Sequence, residues 1–361
     1  MDDSLKILIV VHEPAAASAI AAACAGRGWE STLATDVVAA LLAARRSPPD
    51  AVVIEAGLPA GGAMITLKRL RATVDTAATP IVLVGGEGPI EALLAAGAQA
   101  HVADPANAAA LQAALGRPAA AVPVPVEAPV EIVRHPMRMA ALRASGLLDT
   151  APDDSFDRLT LLVSRLLGAP TALFSLVDRD RQFFKSAVGL AEPWATARET
   201  PLSHSFCQWV VSGRDSVRVS DAREHKVLRH NEALRDLGVV AYAGVPVISV
   251  QGEALGSLCA IDGQPRSWTQ DDEATLNDLA RLAEACIAHA TLVQQPPQAA
   301  GDLDHYVEAC GGAITGAVDI LRRHGSKLGV DEREVLHGLI EEHAAHLVQL
   351  NRLIQVSKAI G

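Results

Sequence analysis

The chain has 361 residues, half of them hydrophobic and a fifth charged, with a formal net charge of −11. That length suits two or three soluble domains. The acidic balance argues against nucleic acid or an anionic membrane as the main partner, since both reward basic patches. The N-terminus MDDSLKILIVV has no basic segment leading into a long apolar core. No apolar run reaches the ~18–20 residues needed to span a bilayer, so a cytoplasmic protein is expected. The five cysteines, Cys24, Cys207, Cys259, Cys286 and Cys310, are scattered and form no CxxC pair, which reads as buried thiols.

Residues 1–117 alternate short apolar runs with Ala-rich helical stretches. Strands are predicted at Lys6–Val11, Ser31–Ala34, Ala51–Glu55, Ile81–Val84 and Ala100–Val102. Strands alternating with helices predict a five-stranded parallel sheet covered on both faces, with ligand chemistry at the carboxyl ends of its strands. The segments KILIVVHEP, DAVVIEAGLPAGG, TPIVLVGG and GAQAHVADP resemble, in order and spacing, the response-regulator receiver family. The resemblance covers nearly all of residues 5–117 and implies a flavodoxin-like fold. It also implies an acidic pair after the first strand to hold Mg²⁺ and a phosphoaccepting Asp ending the third. A Ser or Thr should end the fourth strand, and a Lys should precede the proline of the fifth.

This sequence departs at each of those positions. The acidic pair falls on Val11 and His12, with Glu13 beside them, and the phosphoacceptor position falls on Glu55. The hydroxyl position falls on Gly85 and the lysine position on Asp104, before Pro105. Val11 offers no oxygen to a metal that prefers several hard oxygen ligands. Glu55 sets its carboxylate one methylene further out, which disturbs in-line attack. Asp104 replaces a charge that neutralises phosphate with one that repels it, a reversal of roughly a few kcal/mol at an effective dielectric of about 20. A folded docking module with an inert pocket is expected. As a permanent mimic of the phosphorylated state, Glu55 would carry less charge and fewer acceptors than phosphate.

The Pro- and Ala-rich stretch PAAAVPVPVEAPV opens an expected linker over residues 118–133. Residues 134–297 then mix helices and strands. RMAALRASGLLDTAPDDSFDRLTLLVSRLLG carries a helix stop and a new start at Asp149–Thr150–Ala151–Pro152, with Thr150 as the cap and Pro152 in the first turn. Phe156, Leu159, Leu162, Val163 and Leu166 follow at helical spacing. APTALFSLVDRDRQFFKSAVGL predicts two strands about a polar turn at Asp178–Arg181. VVAYAGVPVISVQGEALGSLCAIDGQPRSWT predicts a hairpin about Gln251–Gly252, and a final helix is expected from Asp271 to Ala290. With ETPLSHSFCQWVV and DSVRVSDAREHKVLRHNEAL between them, these segments resemble a GAF domain. The resemblance implies an antiparallel sheet with flanking helices that senses a small molecule or dimerises. The ligand is not legible: Cys207 and Cys259 read as core thiols, and no full cyclic-nucleotide signature is present. His204 and Cys207, three apart, would share a helix face but lack the second pair a metal needs. His225 and His230 read as solvated loop residues. No metal or cofactor is expected.

QQPPQAAG, residues 294–301, marks a second break, and residues 302–361 carry helical periodicity alone. Leu303, Val307, Cys310, Ile314, Ala317 and Leu321 recur at alternating spacings of 4 and 3, as do Leu336, Ile340, His343, Leu347, Leu350 and Ile354. This is the seam of a coiled-coil-like hairpin turning at Gly325–Gly329. Two helices alone bury too little core, so a homodimeric four-helix bundle through residues 302–358 is expected. AITGAVDILRR and HLVQLNRLIQVSK resemble the dimerisation and phosphoacceptor hairpin of histidine kinases, which places the phosphoacceptor at His305. His305 lies two residues past Leu303 and so points about 200° away from the seam. Tyr306 stands where that family has an acidic or amide residue, and Cys310 where it has proline. Together these features suggest a non-catalytic two-component adaptor that binds a histidine kinase or a receiver. Two alternatives stay open: the front of a histidine kinase, should the native chain continue past Gly361 into an ATP-binding domain, and a phosphotransfer protein using His305.

Overall fold

The computed structural model describes residues 4–116, 124–294 and 300–360. Part of the expected linker, the centre of the second break and the seam side chains of Leu303 and Ile354 lie outside the described residues. The chain divides into two compact units, Met1–Pro125 and Val126–Gly361.

The first unit runs β1 (Lys6–Val10), α1 (Pro14–Ala25), β2 (Glu30–Ala34), α2 (Val37–Arg46), β3 (Ala51–Glu55), α3 (Gly62–Ala72), β4 (Ile81–Val84), α4 (Ile90–Ala95), β5 (Ala100–Val102) and α5 (Ala108–Leu115). Its five strands are all parallel, in the order β2-β1-β3-β4-β5. One face packs Leu8, Val10, Val52, Ile54, Ile81 and Leu83 against Ala40, Leu67, Leu70 and Leu93 of α2, α3 and α4. The other packs Ile7, Ile9, Val53, Val82 and Val84 against Ile20, Leu111 and Leu115 of α1 and α5. Burial on both faces explains why the central strands are continuous apolar runs. β2 is an edge strand, exposed at four of its five residues, which explains its weak signal. Asp36 caps α2 by accepting from Ala39 N at 2.9 Å, and Asn107 caps α5 by accepting from Ala110 N at 3.0 Å.

The second unit runs α6 (Val130–Val133), α7 (Pro136–Ala144), α8 (Asp154–Leu167), β6 (Thr171–Val177), β7 (Arg181–Val188), α9 (Trp194–Ala197), β8 (Glu199–Pro201), α10 (Cys207–Gly213), β9 (Val217–Val219), α11 (Ala233–Asp236), β10 (Ala241–Ile248), β11 (Ala254–Asp262), α12 (Gln270–Gln294), α13 (Ala300–His324) and α14 (Val330–Ile360). Its six-stranded sheet has the order β8-β7-β6-β11-β10-β9, antiparallel at every pairing. One face buries Phe174, Leu176, Ala243, Val245, Leu258 and Ala260 against α8 and α12.

Three local features differ from the expectations. The cap of α8 is Asp153, which accepts from Ser155 N at 2.9 Å, and not Thr150. A carboxylate there answers both the free N–H groups and the positive helix end, while Thr150 Oγ1 donates to Leu147 O at 2.7 Å. Residues 126–133, expected as linker, pack into the second unit. Ala128 N donates to Gln208 Oε1 at 2.9 Å, and buried Arg138 donates to Val133 O at 2.7 Å and Ala254 O at 3.3 Å. The C-terminal hairpin is also not a free-standing pair. Ala313, Ala317 and Ile320 of α13 and Leu336 and Leu339 of α14 join the core formed by Leu276, Leu279 and Ala283 of α12. Gly316 permits the close helix approach, since a Cβ there would lie 2.8 Å from Asp278 O. On the described part of the seam, Cys310, Ala317, Leu336, His343 and Leu350 are buried.

Candidate functional site

In a 2-1-3-4-5 sheet the topological switch lies between β1 and β3, where a crevice opens at the carboxyl ends of the strands. Such a cleft of about 490 Å³ is lined by Glu13 after β1, Glu55 and Gly57 at the end of β3, Gly85 to Glu87 after β4 and Ala103 to Ala106 after β5. Glu55 does not point freely into it. Its Oε2 accepts from His12 N at 2.6 Å and from Glu13 N at 3.4 Å, so the carboxylate closes onto the loop after β1. Val11 is buried with Ile7, Ile9 and Ile20 and contributes nothing to the cleft, while the side chains of His12 and Glu13 are exposed. Gly85 takes φ +93°, where a side chain would be strained. Its carbonyl lies 2.6 Å from His101 Nε2. Asp104 Oδ1 accepts from Ala106 N at 2.9 Å, which holds that carboxylate in its own turn.

Among the described residues the cleft lining carries four carboxylates, Glu13, Glu55, Glu87 and Asp104, and no lysine or arginine. The donor set does not fit the Mg²⁺ of receiver chemistry: Val11 has no oxygen to give, and Glu55 is engaged by two amides. Among the described residues no group of three or more His, Cys, Asp or Glu is arranged to hold a metal ion. Glu87 was not singled out in the sequence; its signal is its place directly after the glycines that end β4.

The middle domain has a second polar locus, on the sheet face turned away from α8 and α12. Ser175, Ser257, Cys259 and Tyr242 lie there, beneath Cys207 at the start of α10. Tyr242 OH donates to Cys207 Sγ at 3.4 Å and lies 3.2 Å from Ser257 Oγ. Cys259 also donates to Cys207, which lowers that thiol, while the same hydrogen bond and then burial push Cys259 well up. Both cysteines are buried and free, and all the other cysteines are free as well. Beside them Gln182 donates to Thr200 Oγ1 at 2.7 Å and accepts from Ser205 Oγ at 2.7 Å, and Gln208 donates to Leu202 O and Ser205 O.

His204 and Cys207 do not share a helix face. His204 ends a 3-10 turn, and its Nε2 meets Asp236 Oδ2 at 2.9 Å while its Nδ1 lies 3.0 Å from Ser203 Oγ. The Asp236 carboxyl is held well below its ordinary value by Arg235 and then by His204. His225 Nδ1 accepts from Val227 N and Leu228 N, and His230 is exposed. His305 lies on the exposed side of α13.

Residues 151–287 match the GAF domain family. A cyclic di-GMP phosphodiesterase of Pseudomonas aeruginosa is 34% identical over 152 residues, which is 42% of this chain and 25% of that protein. The Mycobacterium tuberculosis protein TcrX, described as a probable transcriptional regulatory protein, is 33% identical over 104 residues, 28% of this chain and 44% of that protein. The chain thus spans a quarter of one curated relative and less than half of the other. Among solved structures, the receiver domain of a Pseudomonas aeruginosa sensor histidine kinase is 27% identical, with 33% of this chain and 99% of that one covered and a TM-score of 0.31. The receiver domain of NtrX from Brucella abortus is 25% identical, with 31% and 98% covered and a TM-score of 0.28. The chain joins an N-terminal domain of receiver fold to a GAF domain and ends in α-helices packed on that domain. No described helix is long and apolar enough to cross a membrane.

Proposed function

We propose that this chain is a cytoplasmic adaptor of two-component signalling whose receiver-fold domain docks a partner without taking phosphate. The observation that carries this reading is the bonding of Glu55 to the backbone of His12 and Glu13. The position that would accept a phosphoryl group is filled by a carboxylate already in use, in a cleft lined by acid. A phosphoryl donor would meet repulsion where receiver chemistry needs Mg²⁺ and a lysine. The GAF domain senses a ligand or couples the two ends of the chain, a role suited to the GAF family. The partner is a histidine kinase or another receiver, and the chain dimerises through residues 302–358. Because α12 already covers one side of α13, a dimer would use the outer faces, where Val318 and Val348 are exposed.

A second reading rests on one observation: His305 is exposed on a helix, as a phosphoacceptor must be. A radiolabelled phosphotransfer assay with active kinases and phosphorylated receivers, using wild type, Glu55→Ala and His305→Ala, separates the two. The adaptor reading expects no label in any of the three. Acid-labile label lost only in His305→Ala would establish the second reading, and label lost in Glu55→Ala would overturn the first.

A further inference from the structure

The C-terminal helices hold a histidine cluster that the adaptor role does not use. His289 of α12 stacks on His346 of α14, with ring centroids 3.8 Å apart and planes within 13°. His343, one turn earlier on α14, meets His346 edge-on at 6.0 Å. His343 is 1% exposed, and among the described residues neither of its ring nitrogens has a hydrogen-bond partner. Nδ1 of His346 also has none. Buried polar groups nearly always find partners, so an unpartnered imidazole inside a helix interface calls for a physical account.

We propose that the cluster of His289, His343 and His346 is a pH-sensitive latch that packs α14 onto the last helix of the GAF domain while His343 is neutral and releases it when His343 is protonated. A neutral ring can be buried like an aromatic one, and two neutral rings can stack. A charged ring must leave the low-dielectric interior or find a carboxylate. On α14 that carboxylate is Glu342, which favours the charged forms of His289 and His343. From α12 the neighbouring group is Cys286, whose thiol is pushed up to about 12, chiefly by burial and further by Glu342 and Asp153. Arg158 of α8 opposes that shift. From α13 come Tyr306 and Cys310, the latter raised by burial. One carboxylate thus acts on both His289 and His343, and burial outweighs it. His343 is held down to about 4, by burial and more weakly by His346 and His289, and His289 is held below its ordinary value by burial first and then by His346.

The sign follows from proton linkage. Released, His343 returns to its ordinary 6.5; docked, it binds a proton only near 4. Docking is therefore complete above about pH 6.5 and weakens as pH falls toward 4. For His343 alone, the ratio of released to docked hairpin rises about 30-fold between about pH 7.5 and about pH 5.

Hydrogen exchange on the full chain tests this, with rates corrected for their intrinsic pH dependence and β1 to β4 as the internal reference. Protection in α13 and α14 should fall about 30-fold more than in the reference strands across that interval. His343→Leu should abolish most of the difference, and His343→Gln, polar but non-titrating, should do the same should the leucine fail to pack. Equal protection at both pH values, a His343 ring titrating at its ordinary value by NMR, or folded variants that keep the full drop would each overturn the proposal.

Discussion

The cleft of the first unit and the polar face of the GAF domain are both rich in groups that hydrogen-bond, yet their groups find partners in different ways. In the cleft, Glu55 bonds to the backbone of the loop after β1 and Asp104 to that of its own turn, and the other carboxylates line an open space of about 490 Å³. On the GAF face, Gln182, Ser205, Gln208, Tyr242 and Cys207 bond to one another inside the protein. The contrast teaches where function can change cheaply. Exposed loops at the ends of strands tolerate substitution because the core beneath does not depend on them. A buried polar network has no such freedom, since removing one member strands the others.

The largest expected effect compares the cores. Leu83→Ala in β4 and Leu279→Ala in α12, both fully buried, should each cost about 2–5 kcal/mol. Hydrogen exchange should show the first loss confined to residues 4–116 and the second confined to the GAF domain and its hairpin. A single transition shared by both units would break the comparison. The next effect is one of pH. Glu284 accepts from Ile248 N at 2.8 Å, and burial raises it to about 7, above its ordinary 4.5. Its contribution is thus full below pH 4.5 and is lost as pH rises through about 7. Glu284→Gln should therefore stabilise the second unit by about 1–3 kcal/mol at pH 8 and leave it unchanged near pH 4, as read by urea denaturation. An equal effect at both pH values would contradict that burial.

Smaller still, Tyr242→Phe removes a donor to Cys207 and should cost about 0.5–1.5 kcal/mol. It should also raise the Cys207 pKa, which thiolate absorbance would follow; no change would mean that Tyr242 takes no part in holding that thiol down. The smallest effect belongs to the cleft. Asp104→Lys restores a positive charge at an exposed position and should change stability by less than about 0.5 kcal/mol. It should not restore phosphoryl transfer, because Val11 and Glu55 remain. Transfer restored by that single change would show that charge alone had silenced the pocket.

Sequence and structure agree best where burial leaves a period or a run. β3, β4 and β5 have their predicted bounds because apolar side chains fill both faces of the sheet. The turn at Gly325–Gly329 falls between α13 and α14 as the seam spacing requires. The partner of that seam was not legible. A 4-3 repeat records that a helix face is covered, not whether the cover is a second copy or α12 of the same chain. The four positions that depart from the receiver pattern could be read one at a time, but not the closure of Glu55 onto His12 N, which depends on loops distant in sequence. His343 stood out only as a seam position; its neighbours His289 and His346 become a cluster when α12 and α14 meet.

The most direct test of the inert cleft is to incubate the full chain with Mg²⁺ and a small acyl phosphate donor, then measure its intact mass beside a phosphorylatable receiver. The adaptor proposal predicts a chain of unchanged mass while the control gains one phosphoryl group. A phosphoryl adduct on the chain that disappears in Glu55→Gln would contradict it.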